Sequence, residues 1–309
     1  MNKKFMGILS GMLLLTSFVS AENGYLKQKR DQQAAEVLKN NNYDLYQATS
    51  KNDLAKISSL IRGFGANVNY IYLNGHHATS SLHIAVQSNF IEAVKLLVEC
   101  GANINIKDSN QMTPLYEAKS KEMIQVLIDL KADVNCKEQQ GLTPLHYLSS
   151  CGHQDQLEMI RLLVRAGSDI NCRSGGNSYR GPWNGLTPLH RCHSDMKVIQ
   201  LLIDLGADLN SRDCEGNTSL HNAGIEKARI LINNKANVNS QNNKGQTPLH
   251  LVASINHYAM GAVDAISHAQ LLIKSGANIN AKDVNDKTPF QYAQTEEMRN
   301  LLNKKIDNK

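Results

Sequence analysis

Two short sequence markers recur seven times in this 309-residue chain and constrain its fold more than any other feature. The first reads TPLH or a close variant and begins at Ser80, Thr113, Thr143, Thr187, Thr218, Thr247 and Thr288. The second reads GANVN or a close variant and begins at Gly65, Gly101, Lys131, Gly167, Gly206, Lys235 and Gly276. Because both markers keep their order and approximate spacing, the sequence predicts a stack of structural repeats.

Each marker contains residues with a clear physical role. A Thr followed by Pro predicts a helix start, because the Thr hydroxyl can accept an amide hydrogen bond and Pro has no N–H to leave unpaired. Such pairs include Thr113 with Pro114, Thr143 with Pro144, Thr187 with Pro188, and Thr247 with Pro248. Paired aliphatic residues precede each second marker, and its Gly predicts a left-handed helix stop. Lys131 and Lys235 replace that Gly, at a predicted cost of up to about 1 kcal/mol each.

A polar turn joins each second marker to the next TPLH, as between Asn105 and Thr113, and predicts a hairpin-like finger between helix pairs. The order of finger, TPLH, two antiparallel helices and GANVN resembles the ankyrin repeat over roughly residues 42–309. The resemblance implies an all-α fold with short β-hairpin fingers: a solenoid of about seven stacked helix pairs plus a C-terminal capping unit. It also implies a structural, unit-linking role for the TPLH histidines, which include His146, His190 and His250.

The first residues have the layout of a secretory signal peptide, with two lysines, an apolar run and V-S-A ending at Ala21. The apolar run is shorter than the roughly 20 residues needed to span a bilayer. We therefore expect residues 1–21 to be removed and the chain to be exported, periplasmic or secreted, with no membrane span after cleavage. Residues 22–41 are predicted to form an N-terminal helical leader or cap, with a loose leader as the alternative.

The charge balance excludes some classes of partner. Removing Lys3 and Lys4 from the 33 basic residues leaves 31, against 28 acidic residues, and no long run of one sign occurs. Nothing in this balance favours nucleic acid or an anionic membrane as a partner. Because the repeat pattern uses most residues structurally and offers no nucleophile with a base, we expect no enzymatic activity and no cofactor.

The cysteines and histidines raise two alternatives, disulfide bonding and metal binding. Six cysteines permit disulfides in an exported chain, and the candidate pair is Cys172 with Cys214, both on fingers; free buried thiols are the alternative. The clusters at 151–153 and 190–193 imitate metal sites but lack paired ligand spacing, so no metal is predicted. A periplasmic redox-linked or metal-linked protein remains an alternative function.

Function is expected where the repeat is irregular. The finger at 69–80 has three extra residues, an enlarged finger at 172–186 has eight, and an enlarged helix junction at 254–268 is expected to lengthen both helices or add a lid. In ankyrin proteins, fingers and first helices form a concave protein-binding surface. The predicted partner-binding residues, of types common in interface hot spots, are Tyr70, Tyr72, His76, Tyr179, Arg180 and Trp183.

Trp183 is expected either to anchor a partner or to cover its own repeat. The chain thus resembles bacterial exported ankyrin-repeat proteins and is predicted to be a monomeric, non-enzymatic protein-binding scaffold. Its partner is an unidentified protein, with a host protein among the candidates. A structural, self-assembling repeat protein is the remaining alternative.

Overall fold

The computed structural model describes residues 3–74, 77–152, 154–175, 184–193, 195–255 and 262–303, with side chains from residue 26 onward except at 74, 77 and 262–264. The chain folds into two compact units, residues 1–106 and 107–309.

The first unit contains two helix pairs. Helices α1 (Lys3–Ser50) and α2 (Leu54–Arg62) form one pair, and α3 (Ser81–Gln87) and α4 (Ile91–Glu99) form the next. First helix packs against first helix and second against second, since α1 contacts α3 and α2 contacts α4. This is the arrangement expected of stacked repeats.

The described side chains of helix α1 enter the core through its C-terminal turns. Its side chains at 26–40 are exposed, and the described buried ones begin at Asn42 and include Leu45 and Ala48. None of the helices in the described part of the chain is both long and apolar enough to cross a membrane.

The first finger is a two-stranded antiparallel sheet of β1 (Ile71–Asn74) and β2 (His77–Ser80). Its register pairs Tyr72 with Thr79 and places Leu73 on the opposite face from Tyr72. Among the fingers within the described ranges, strand pairing occurs only here, which confirms a short β-hairpin in this finger. The three extra residues of this finger supply the length that a ladder requires, whereas the shorter fingers close as single turns.

The second unit continues the pattern with ten helices in its described residues. They are α5 (Lys121–Asp129), α6 (Pro144–Leu148), α7 (Gln156–Arg165), α8 (Pro188–Arg191), α9 (Met196–Asp204), α10 (Ile225–Asn233), α11 (Pro248–Ala253), α12 (Ala262–Lys274), α13 (Pro289–Tyr292) and α14 (Glu296–Asn303). The second helices of successive repeats contact one another in the order α5, α7, α9, α10, α12, α14.

The core of this unit is aliphatic and repeats with the fold. In α5, α7, α9, α10 and α12, one leucine has no exposed surface: Leu127, Leu163, Leu202, Leu231 and Leu272. Each comes from the aliphatic pair that precedes a GANVN marker. Burying one such side chain contributes about 1.5–3 kcal/mol, so these pairs specify the stacking face of the second helices.

The first helices vary in length more than the TPLH marker suggests. The segment after Thr113 forms a 3-10 helix (Pro114–Glu117), α8 is a single turn, and Thr218 starts no helix. After Thr113 the chain has little room, because Ser120 already caps α5 by accepting the Met123 N–H at 3.1 Å. A Thr–Pro pair therefore starts an α-helix at Thr187, as predicted, but only a 3-10 helix at Thr113.

The enlarged junction lengthens only one of its two helices. Helix α12 has 13 residues against nine in α9, while α11 has six residues and is no longer than α3 with seven. Residues 256–261 lie outside the described residues. The expectation of two lengthened helices is wrong for α11, because its last turn is already capped at Ser254.

Two lysines occupy left-handed helix stops. Lys131 has φ 69° and Lys235 has φ 72°, in the conformation that Gly206 adopts at the equivalent position. A side chain in this region costs free energy that glycine avoids.

Candidate partner-binding surface

The TPLH histidines are fixed by hydrogen bonds within and between repeats. His146 Nδ1 accepts the Thr143 backbone N–H at 3.1 Å, and its Nε2 lies 2.9 Å from the Leu186 carbonyl oxygen. Because a backbone N–H can only donate, Nδ1 is the acceptor, and Nε2 carries the proton and donates. The ring is fully buried, and burial lowers the pKa of His146 to about 4. The imidazole is therefore neutral at pH 7.

The same bridge recurs along the second unit. His190 bonds the Asn217 carbonyl at 3.1 Å, His221 that of Gln246 at 3.0 Å, and His250 that of Lys287 at 3.1 Å. In each case the acceptor immediately precedes the next TPLH marker. Burial also lowers the pKa of each of these three histidines. Both ring nitrogens are occupied structurally, which leaves none of them as a free base.

Two other residues replace this histidine. Tyr116 takes its place in the repeat from Thr113, and its hydroxyl bonds the carbonyl oxygens of Cys136 and Leu142, both at 2.7 Å. In the last repeat Gln291 accepts the Thr288 N–H through Oε1 at 2.7 Å. The tyrosine thus supplies the bridge to the next repeat, and the glutamine supplies the bond within its own repeat.

The predicted metal-like and disulfide residues do not come together. All six cysteines are free thiols; Cys172 is buried against Thr143 Oγ1 at 3.3 Å, whereas Cys214 is exposed, so this pair is not joined. Burial raises the pKa of the Cys192 thiol to about 11. Within the described ranges, no cluster of three or more His, Cys, Asp or Glu side chains could hold a metal ion. His153 lies outside those ranges.

A buried lysine replaces part of a missing helical turn. Lys227 is 2% exposed, and its Nζ donates to the carbonyl oxygens of Leu189 at 2.8 Å, Cys192 at 2.7 Å and His190 at 3.4 Å. These carbonyls lie where α8 stops after one turn. Burial lowers the pKa of Lys227 to about 8. Two sequence features could have indicated this contact. Lys227 occupies a position that is apolar in other repeats, such as Met159, and it follows a shortened repeat.

The enlarged finger has at its base the same hydrogen bonds as a regular finger. Ser174 N–H donates to the Leu186 carbonyl at 2.8 Å, as Asp213 N–H does to Asn217 in the next finger at 2.9 Å. Ser174 Oγ also accepts the Leu186 N–H at 2.9 Å, the role that the Asp213 carboxylate has for Asn217. The hydrogen bonds between Ser174 and Leu186 therefore join the two ends of the finger.

Neighbouring fingers hold this base from both sides. The Gly175 N–H donates to the Gln140 carbonyl at 2.8 Å, and the Asn184 carbonyl accepts the Cys214 N–H at 3.2 Å. The extra residues lie in the sequence between Gly175 and Asn184. Three predicted binding residues belong to that insertion and lie outside the described residues: Tyr179, Arg180 and Trp183.

The first finger forms an aromatic cluster with α1. The Tyr72 ring centroid lies 4.9 Å from that of Tyr46, 5.2 Å from Tyr70 and 5.7 Å from Tyr43. The structure thus joins the predicted Tyr70 and Tyr72 to two α1 residues that the sequence did not single out. Their signal was the three-residue spacing of tyrosines in YDLY, which places both on one helix face. His76 lies outside the described residues.

The tyrosine cluster, defined as Tyr43, Tyr46, Tyr70 and Tyr72, is partly open to solvent. Tyr43 is 52% exposed, and the other three are half-buried. Burial, followed by the neighbouring phenols and the Asp44 carboxylate, raises the pKa of Tyr72 to about 12. The Tyr72 hydroxyl therefore remains a protonated hydrogen-bonding group at pH 7.

Comparison with known proteins identifies the family of this chain. A family model described as ankyrin repeats (3 copies) matches at residues 45–137, 82–174, 154–242 and 222–309. The chain belongs to the ankyrin-repeat family. The crystal structure of the ankyrin repeat domain of Bcl-3, a unique member of the IkappaB protein family, is similar at 23% identity and a TM-score of 0.51. That match covers 84% of this chain and 97% of the other and shows a shared fold.

These findings confirm the predicted ankyrin-repeat solenoid fold. Ankyrin repeats generally mediate protein–protein interactions, and proteins of this family are generally non-enzymatic scaffolds.

Proposed function

We propose that this chain is an exported, non-enzymatic scaffold that binds a partner protein through its fingers and first helices. The observation that supports this most strongly is the tyrosine cluster, four partly exposed rings where the first finger meets α1. Tyrosine is enriched in interface hot spots because it combines a large apolar surface with a polar tip.

The occupied histidines support a scaffold over an enzyme. In four histidines, one ring nitrogen bonds the backbone of the same repeat and the other bonds the backbone of the next repeat: His146, His190, His221 and His250. Their hydrogen bonds hold consecutive fingers in register. A rigid row of fingers is a preorganised binding surface, which reduces the entropy lost on association.

Export is supported by the tripartite layout of residues 1–21 and by the position of the core. The described buried side chains of α1 begin at Asn42, so cleavage after Ala21 removes none of them. Intact-mass measurement on protein recovered from the periplasm or medium is expected to give a chain beginning at Glu22. Recovery of the uncleaved chain from the cytosol alone would refute export.

Partner binding is tested by photo-crosslinking from single positions of the full chain. A photoreactive phenylalanine at Tyr72 or at Leu73, which is 80% exposed, is expected to capture a discrete partner. The matched control is the same residue at Lys95, an exposed position on the second helix α4. Equal capture from Lys95 would remove the fingers as the binding surface.

The enlarged finger is tested separately with Trp183→Ala and Tyr179→Ala. If this finger contributes anchors, both variants reduce partner capture while keeping the circular dichroism spectrum of the wild type. Undiminished capture by folded variants would restrict the surface to the remaining fingers.

A further inference from the structure

We propose that the tyrosine cluster binds an arginine side chain of the partner protein. This inference rests on the proposed function and gives that surface a chemical specificity. It is carried by the geometry of the four rings, by the charge beside them and by two tyrosines elsewhere in the chain that already hold a cation.

The cluster has the composition of a cation site. Tyr72 lies among three other rings at 4.9–5.7 Å, with Tyr43 and Tyr46 supplied by α1 and Tyr70 by the finger. The negative face of a tyrosine ring attracts a cation within about 6 Å of its centroid. Tyr43, which is 52% exposed, offers open ring surface for such a contact.

The nearby charge has the matching sign. Asp44 lies between Tyr43 and Tyr46 in the sequence and acts electrostatically on Tyr72, as do the three other phenols. A guanidinium would neutralise this carboxylate and donate hydrogen bonds to it and to the phenol oxygens. An anionic segment would be repelled, and an apolar segment would desolvate the carboxylate without pairing it.

The chain itself shows this pairing in its second unit. The Arg191 guanidinium lies 5.6 Å from the ring centroid of Tyr147, which packs edge-on against Tyr116 at 5.3 Å. Lys287 similarly lies 5.8 Å from the ring centroid of Tyr292. Among the side chains that the structure describes, these are the cation–ring contacts, and neither involves the tyrosine cluster. Two tyrosine rings of the chain therefore already carry a cation, which shows that tyrosine in this fold accepts such a partner.

The test uses the full chain with isotope-labelled tyrosine rings and a short acetylated, amidated Gly-Arg-Gly peptide as the probe. Nuclear magnetic resonance is expected to show saturable shifts of the cluster rings. The same peptide with citrulline, which has the shape of arginine without its charge, is expected to bind about fivefold more weakly. The Tyr147 ring is an internal control because Arg191 already covers it.

Variants separate ring contact from folding. Tyr43→Ala removes the most exposed ring, and Asp44→Asn removes the charge. Each substitution is expected to weaken binding of the arginine peptide by about twofold to fivefold. Tyr43→Phe keeps the ring and is expected to retain binding. The absence of saturable shifts in folded protein, or equal binding of the citrulline peptide, would overturn the inference.

The two proposals fail in different experiments. Crosslinking from Tyr72 reports whether a partner protein docks, whereas the peptide titration reports which side chain the cluster accepts. Partner capture without preference for the arginine peptide refutes the arginine site and leaves the scaffold function intact.

Discussion

Substitution of His146 by Gln provides a sharp test of the bridges between repeats. Gln291 shows that glutamine can accept the Thr N–H of its own repeat in this position. We expect His146→Gln to keep that bond and to lose the bond to the Leu186 carbonyl. Leaving a buried acceptor unpaired costs about 1–3 kcal/mol, so the variant should be less stable than the wild type at pH 7.5.

Acidification should make the wild type less stable than His146→Gln. The His146 pKa is about 4 in the folded chain and 6.5 in its ordinary state, so the unfolded chain binds the proton first as the pH falls. The wild type then loses about 3 kcal/mol between pH 6.5 and pH 4 through this one residue, at about 1.36 kcal/mol per pKa unit. Glutamine does not titrate, so the two stabilities are expected to cross at roughly pH 4–6, where the loss in the wild type equals the 1–3 kcal/mol cost of the variant.

The assay is urea unfolding followed by circular dichroism for both proteins from pH 7.5 to pH 4. The other histidines change both proteins equally, so the difference between the two curves isolates position 146. A difference that stays constant over this pH range would show that His146 is not held neutral by burial, and would refute the bridge as described.

Three further predictions concern stability. Relative to Lys227→Met, the wild type is expected to gain about 3 kcal/mol between pH 8 and pH 10.5, because the buried lysine loses its proton near pH 8 and the unfolded one near 10.5; a flat difference in urea unfolding would contradict its burial. Lys131→Gly should raise the unfolding free energy by about 0.5–1 kcal/mol and Gly206→Ala should lower it by about 1 kcal/mol, with opposite shifts in the melting temperature as the check. Tyr116→Phe should cost about 1–2 kcal/mol in urea unfolding, because the Cys136 and Leu142 carbonyls lose their shared donor, and no loss would show that water replaces it.

The repeated markers predicted the fold because each acts over a few residues. The capping Thr, the Pro after it and the left-handed stop are local features, and seven copies leave little freedom in how the helices alternate. The same reasoning failed where local length was short. The helix-starting signal of Thr113 gave only a 3-10 helix, because α5 begins soon after it.

The candidate site was predicted only in part. Tyr70 and Tyr72 were found because they interrupt the repeat, but their α1 partners Tyr43 and Tyr46 looked like ordinary helix residues. Their contact depends on how the finger folds back on α1, a distance of some 25–30 residues along the chain that no local pattern reports.

The sequence by itself predicted a solenoid of stacked helix pairs resembling the ankyrin repeat, with the TPLH histidines as links between repeats, since the repeated capping and stop signals act locally. The tertiary structure decided which other side chains bridge repeats and which rings lie together on a partly exposed surface. Lys227 reaches the carbonyls of a shortened neighbouring repeat, and four tyrosines from a helix and a finger meet at one surface. Such contacts depend on packing between repeats, where the direction and burial of each side chain are set by a neighbour distant in sequence.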